Sequence, residues 1–195
     1  MATTPKRAAV QADVLRATEQ LLAEGTSWAD LGIERIATTA GISRTAFYFY
    51  FRDKRELLIR LTEDVTELLY AEADRWYSGE GDDEEEIREA LTKISELYVE
   101  HEALLRVIVE VSTYDEEVAT FWRSLLGRFI LATRMRIEAE QEAGKSPAFP
   151  AEPTAFSLIW MCERTLYQLM VQEPGFSRED AIEALVRIFM RSVYG

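Results

Sequence analysis

Residues 33 to 56, IERIATTAGISRTAFYFYFRDKRE, constrain the fold more than any other stretch, because they read as two short helices joined by a glycine turn. Ile33, Ile36 and Ala37 share one face at helical spacing, and that face stops at Gly41, a residue type that tolerates the left-handed backbone of a tight turn. Ile42 fills the corner. Ser43 is suited to cap a second helix over Arg44–Tyr50, and Asp53 followed by Glu56 three residues later resembles the capping-box start of a longer one. At about 100° per residue, Phe47 and Phe51 point together toward a core. Thr45, Tyr48 and Phe49 then face outward, with Arg44 at the edge. Rings on the outer face of a short helix are unexpected where only water is met. A DNA groove, in contrast, offers phosphate oxygens to a tyrosine hydroxyl and thymine methyls or sugars to a phenyl ring.

The rest of the chain predicts an all-α fold of about nine helices. A first helix from about Lys6 to Glu24 carries Val10, Val14, Ala17, Leu21 and Leu22 on one stripe and meets Gly25, placed as a C-cap. From Asp53 a fourth helix continues through Leu57, Leu61, Val65 and Leu69 as far as Trp76. The run GEGDDEEE at residues 79–86 breaks the pattern and opens a fifth helix with carboxylates that complement its N-terminal dipole. Stripes at Ile87–Tyr98, Leu104–Val111 and Val118–Ile137 give helices five to seven. Pro153 suits the first turn of an eighth, and Ser177 with Asp180 opens a ninth. The expected division is a helix-turn-helix domain over residues 1–56 and a helical domain over 57–195.

Net charge is −13, which taken whole disfavours a polyanionic partner. The charge is uneven, however. Up to Arg60 there are nine basic and seven acidic residues, a surplus of two positive charges, so the remainder carries −15. Such polarity draws the N-terminal part toward DNA and keeps the acidic body away. The one cysteine, Cys162, excludes an internal disulfide; with a start lacking a signal-peptide core and no membrane-spanning run, a cytoplasmic protein is expected, without a membrane partner. His101 and Cys162 are too few to build a metal site or a nucleophile–base pair, so neither an enzyme nor a cofactor is expected. Glu163 and Arg164 interrupt an otherwise apolar helix, and either would need an ion pair or hydrogen bonds if covered.

The segment Ala46, Phe47, Tyr48, Phe49, Tyr50, Phe51 and Lys54 resembles the recognition segment of the tetracycline-repressor family. That segment runs from a small residue through an aromatic series to a downstream lysine. Within the family the chain is similar to the ethionamide-resistance-repressor branch, on GISRTAFYFYF at 41–51, Glu163-Arg164-Thr165-Leu166, and Ser192-Val193-Tyr194-Gly195. The resemblance implies contacts to double-stranded operator DNA from Ser43, Arg44, Thr45, Tyr48, Phe49 and Tyr50, a phosphate contact from Lys54, and lesser ones from Thr38 and Thr39. Arg44, at the start of the recognition helix, reaches either a guanine edge or a phosphate, and Ser43 serves either as contact or only as cap.

The resemblance also implies a long effector pocket between helices 4, 5, 7 and 8. Its wall, carried over position by position, would include Ile87, Ile94, Tyr98, Trp122, Phe129, Thr133, Ile159, Cys162 and Tyr167. The branch has asparagines at the positions of Ile159 and Cys162, so amide bonds to a ligand carbonyl are lost and a hydrophobic small molecule is expected. Helices 8 and 9 would form a homodimer, to which Trp160, Met170, Phe189 and Met190 are candidates. The implied function is a repressor that releases a pseudo-palindromic operator on binding ligand. An activator or effector-independent regulator of the same fold, a protein-interaction module and a small helical enzyme remain open at this point.

Overall fold

The computed structural model describes residues 5–79, 81–172 and 174–195, with side chains from Arg7 onward. Among these residues the chain forms nine helices and no strand. The first four residues, on which the signal-segment expectation partly rests, lie outside the described residues, as does Glu80 of the acidic run. No helix among the described residues is long and apolar enough to cross a membrane.

Local chemistry sets the helix ends. Helix α1 (Pro5–Ala23) closes at Gly25, whose φ is +87°. Between α2 (Ile33–Thr39) and α3 (Arg44–Tyr50), Gly41 takes φ +71°, and the Ile42 N–H returns to the Ala37 carbonyl at 2.9 Å. A side chain at Gly41 would meet open space, so the backbone conformation alone demands glycine there. The Ser43 hydroxyl accepts the Ala46 N–H at 3.1 Å. At the start of α4 (Lys54–Ser78), Asp53 accepts the Glu56 N–H at 2.8 Å, while the Glu56 carboxylate accepts the N–H of Arg52 rather than that of Asp53. Asp82 caps α5 (Asp83–Glu100), and Ser177 and Asp180 form a reciprocal capping box on α9 (Arg178–Val193). Between these lie α6 (Glu102–Val111), α7 (Glu116–Glu142) and α8 (Ala151–Val171), with Pro153 in the first turn of α8.

The chain forms two compact units. One comprises the residues through Asp64 together with Glu102–Ala119; the other comprises Val65–His101 with Thr120–Gly195. The boundary expected between residues 56 and 57 does not coincide with this division. Helices α4 and α7 each contribute to both units, and α6, expected in the C-terminal domain, joins the first unit by packing on α1. The reason is apolar area. Six of the ten α6 residues are buried apolar side chains, including Leu104, Leu105 and Ile108, each contributing about 1.5–3 kcal/mol when covered. In the second unit α5 packs on α8 and α9, around a core that includes Trp76, Ile87, Leu158, Leu185 and Phe189.

A polar clasp holds the α6–α7 corner within the first unit. The Asp115 carboxylate accepts the N–H groups of Glu117 and Val118, the cap of α7, and also the Arg55 side chain from α4 at 2.8 Å. Arg55 and Arg52 both bind Glu117 as well. Burial would raise the Asp115 pKa, but the bonds from Arg55 and the Val118 N–H outweigh it and hold the carboxyl below the usual aspartate value. A depressed carboxylate pKa contributes stability that is complete above the unfolded value, near 4, and lost as pH falls through the folded one. Asp115→Asn is therefore expected to lower Tm by a few degrees at neutral pH, with the gap to wild type closing below about pH 4 in a calorimetric pH series. Equal Tm values at neutral pH would show that the clasp contributes nothing.

Candidate functional site

Two features stand apart from ordinary packing, one in each unit. In the first, Phe47 and Phe51 are 0% and 1% exposed, with ring centroids 5.5 Å apart. Their burial turns the other side of α3 outward: Tyr48 is 46% exposed, Phe49 67%, and Ser43, Arg44 and Thr45 are exposed beside them. Thr38 and Thr39 are exposed at the end of α2, while Tyr50 is half-buried and stacks edge-on against Phe49 at 5.2 Å. Cations border the rings. The Arg44 guanidinium lies 5.9 Å from the Tyr48 ring centre and that of Arg7 lies 5.4 Å from Phe49. The Ser43 hydroxyl is engaged as a cap, and as an acceptor in that bond it keeps its proton for a second partner.

Lys54 holds a place that sequence reasoning did not foresee. Its ammonium donates to the carbonyls of Trp28 and, at 3.1 Å, Leu31, and lies 4.7 Å from the centre of the Trp28 indole. Burial lowers its pKa, against a small opposing pull from Asp30. Two of its three N–H donors thus tie the α1–α2 connection to the start of α4, and one remains for an outside acceptor.

In the second unit an apolar cavity of about 90 Å³ lies among α4, α5, α7, α8 and α9. One water centre needs roughly 10–15 Å³, so the space would hold several, yet its walls offer them few partners. From the expected set it gathers Ile87, Ile94 and Tyr98 on α5, Trp122 and Phe129 on α7, and Ile159 and Cys162 on α8. Trp122 and Phe129, two turns apart on one face, give the cavity a run of about 10 Å along α7. Burial pushes the Cys162 thiol up to about 12, so it is an inert part of the wall.

Two expected members stand outside the cavity. Thr133 is fully buried, but Tyr77 of α4 lines the cavity and its hydroxyl meets the Thr133 hydroxyl at 3.4 Å, closing that end. Tyr167 lies one residue beyond the α8 face that carries Ile159, Cys162, Glu163 and Leu166, and its ring sits under the Arg164 guanidinium at 5.0 Å. Residues outside the carried-over set complete the wall, notably Leu69, Ala73 and Trp76 from α4, and Phe189 from α9, which the dimer expectation had counted toward a surface. The α4 stripe carried a signal for them, because its apolar repeat continues past the point where a linker helix needs one.

Among the described residues Glu163 is the one carboxylate in the wall. Its side chain is 2% exposed, and neither carboxylate oxygen has a hydrogen-bond partner. The Arg164 Nε stands 3.6 Å from Oε2, too far for a hydrogen bond. Burial raises the Glu163 pKa, and Arg164 offsets this only in part.

Comparison with known proteins finds relatives across most of the chain. Residues 14–61 match the family profile described as bacterial regulatory proteins, tetR family, and residues 87–195 match that of the transcriptional regulator EthR, C-terminal domain. The HTH-type transcriptional regulator EthR of Mycolicibacterium smegmatis is 33% identical over 92% of this chain and 84% of its own length. Among solved structures, a TetR-family transcriptional regulator from Syntrophomonas wolfei superposes with a TM-score of 0.79 at 21% identity, over 94% of this chain and 95% of its own. FadR from Bacillus subtilis, solved in complex with stearoyl-CoA, gives 0.75 at 14% identity, over 93% and 98%. These relatives are regulators, not enzymes.

The two cations of the N-terminal unit should separate on substitution. Lys54→Ala leaves the Trp28 and Leu31 carbonyls short of a donor and is expected to cost about 1–3 kcal/mol in denaturant unfolding. Arg44→Ala, which removes an exposed side chain from α3, should stay within about 0.5 kcal/mol of wild type. The reverse order would refute these placements.

Proposed function

Because the chain belongs to the tetracycline-repressor family of transcriptional regulators, in the branch defined by the C-terminal domain of EthR, we propose that it is a repressor that releases a pseudo-palindromic operator when a hydrophobic small molecule occupies its C-terminal cavity. The cavity is the observation that carries this reading. It gathers seven of the residues that the branch resemblance assigns to an effector site, and its apolar lining favours an elongated apolar ligand. Arg44 reads a base edge, and Tyr48, Thr45, Thr38 and Thr39 meet backbone phosphates, with Lys54 fixing the start of α4 and lending its remaining N–H.

The protein acts as a homodimer. Helices α8 and α9 present Phe156 and Ile188 exposed and Trp160, Met170 and Met190 half-buried, an apolar surface that a second copy would cover. Phe189 is not part of it, being buried in the core. Two copies of α3 then meet half-sites about one helical turn apart. Ligand favours a conformer in which the two heads no longer fit successive major grooves. Helices α4 and α7, each running through residues of both units, supply continuous backbone from the cavity wall to the head.

Selection of bound fragments from random duplex DNA should return a two-fold-related sequence, and fluorescence anisotropy on that sequence should show a dimer or paired dimers. Arg44→Ala is expected to weaken binding by about 1–3 kcal/mol and to relax preference at one base pair per half-site. An apolar library should contain compounds that raise Tm by mass action and release the DNA at matching concentrations. A library that yields neither a thermal shift nor release would sink the effector reading, and compounds that bind but leave the operator occupied would sink the coupling.

A further inference from the structure

The Glu163 carboxyl is the feature that an apolar effector leaves unexplained. It stands on the same α8 face as Ile159, Cys162 and Leu166, in the wall of a cavity otherwise lined almost wholly by carbon, and both of its oxygens are buried without a hydrogen-bond partner. An orphaned buried carboxyl is costly in either protonation state. A well-packed apolar residue in its place would carry no such cost. What relieves the carboxyl is a donor arriving with the ligand. Resting on the repressor reading above, we propose that the cavity takes a lipophilic amine, whose ammonium group pairs with the Glu163 carboxylate while its apolar body lies along α7 between Trp122 and Phe129.

The surroundings favour an ammonium over a neutral donor. Aromatic faces attract a desolvated cation, and Tyr98 and Trp122 line the same space. Among the described residues no lysine or arginine lines the cavity; Arg164, on the same helix, makes only a long ion pair to Oε2 at 3.6 Å from outside the wall, is half exposed and has its guanidinium over Tyr167, so it leaves the hydrogen-bonding capacity of both oxygens to a ligand. From α5 the Tyr98 phenol lies within electrostatic reach of Glu163, and burial first, then Glu163, raises its pKa, so it stays neutral. From α4 the Tyr77 phenol is likewise raised by burial and is engaged with Thr133. The lining residues from α7 and α9 include no titratable group. Glu163 is thus the group in the wall whose charge an arriving ammonium would set. Its pKa is raised in the empty cavity, and an ammonium partner would lower it. Amine affinity should therefore rise with pH through the empty-state value, each binding event releasing a proton below that point.

The test uses the full chain and a matched pair of compounds, phenylbutylamine and phenylbutanol, titrated calorimetrically at several pH values and in buffers of different ionisation enthalpy. Wild type is expected to bind the amine at least about tenfold more tightly than the alcohol at neutral pH. The amine, and not the alcohol, should release protons as the pH is lowered through the empty-state value. Glu163→Gln, which keeps the shape and removes the charge, should abolish both the amine preference and the proton release while retaining alcohol binding. The wild-type comparison and its pH dependence decide the matter even if the variant folds poorly. Equal or weaker binding of the amine, or a preference unchanged in Glu163→Gln, overturns the inference. Operator release by the alcohol without amine preference overturns it while leaving the repressor reading intact. Binding of neither compound overturns it and counts against the effector reading as well.

Discussion

Burial of Phe47 and Phe51 is the contact on which the DNA-facing half of the molecule depends. A helix of seven residues has too little intrinsic stability to hold an orientation by itself, and here the two rings hold it from below. Once they are inside, helical geometry leaves no freedom about what lies outside: Arg44, Thr45, Tyr48 and Phe49. The aromatic run would otherwise be an aggregation hazard. Its alternation between core and surface turns it into a presented face, and the flanking guanidinium groups of Arg7 and Arg44 keep the exposed rings in a cationic setting suited to phosphate.

The helix boundaries were legible because they are set by neighbours in sequence. Gly25, Gly41, Ser43 and the Ser177–Asp180 pair act within four residues of their own positions, and each does what its type requires. The structural partners of Lys54 were hidden for the opposite reason. Its partners, the carbonyls of Trp28 and Leu31, lie 26 and 23 positions away, and nothing in a lysine's local context says which distant carbonyl it will meet. Placement of α6 shows the same limit: its apolar stripe announced a buried helix but not the unit that would bury it.

The cavity was harder still. Aromatic residues on helix stripes have the same periodicity whether their rings touch one another or a gap, so Trp122 and Phe129 could be assigned only by resemblance. Thr133 satisfies the same periodicity and still falls outside, because a single phenol from α4 closes that end. Glu163 shows how far sequence reached: a carboxylate interrupting an apolar helix was visible, but whether water, an arginine or an empty space faced it depended on the turn of α8. In the folded chain it lines the cavity, with Arg164 over Tyr167 and no nearer than 3.6 Å to the carboxylate.

The polypeptide passes between the two compact units three times, within α4, at the junction of His101 and Glu102, and within α7. The DNA-reading unit is therefore not an N-terminal module that can be cut free at a linker. A fragment ending near residue 64 would lack α6, baring the α1 surface that α6 covers, and would strip Arg55 of the carboxylates it binds. Insertions and domain exchanges in proteins of this plan should accordingly be tolerated at the exposed turn of residues 143–145, and not at the head–body boundary, where the chain has no single boundary to offer.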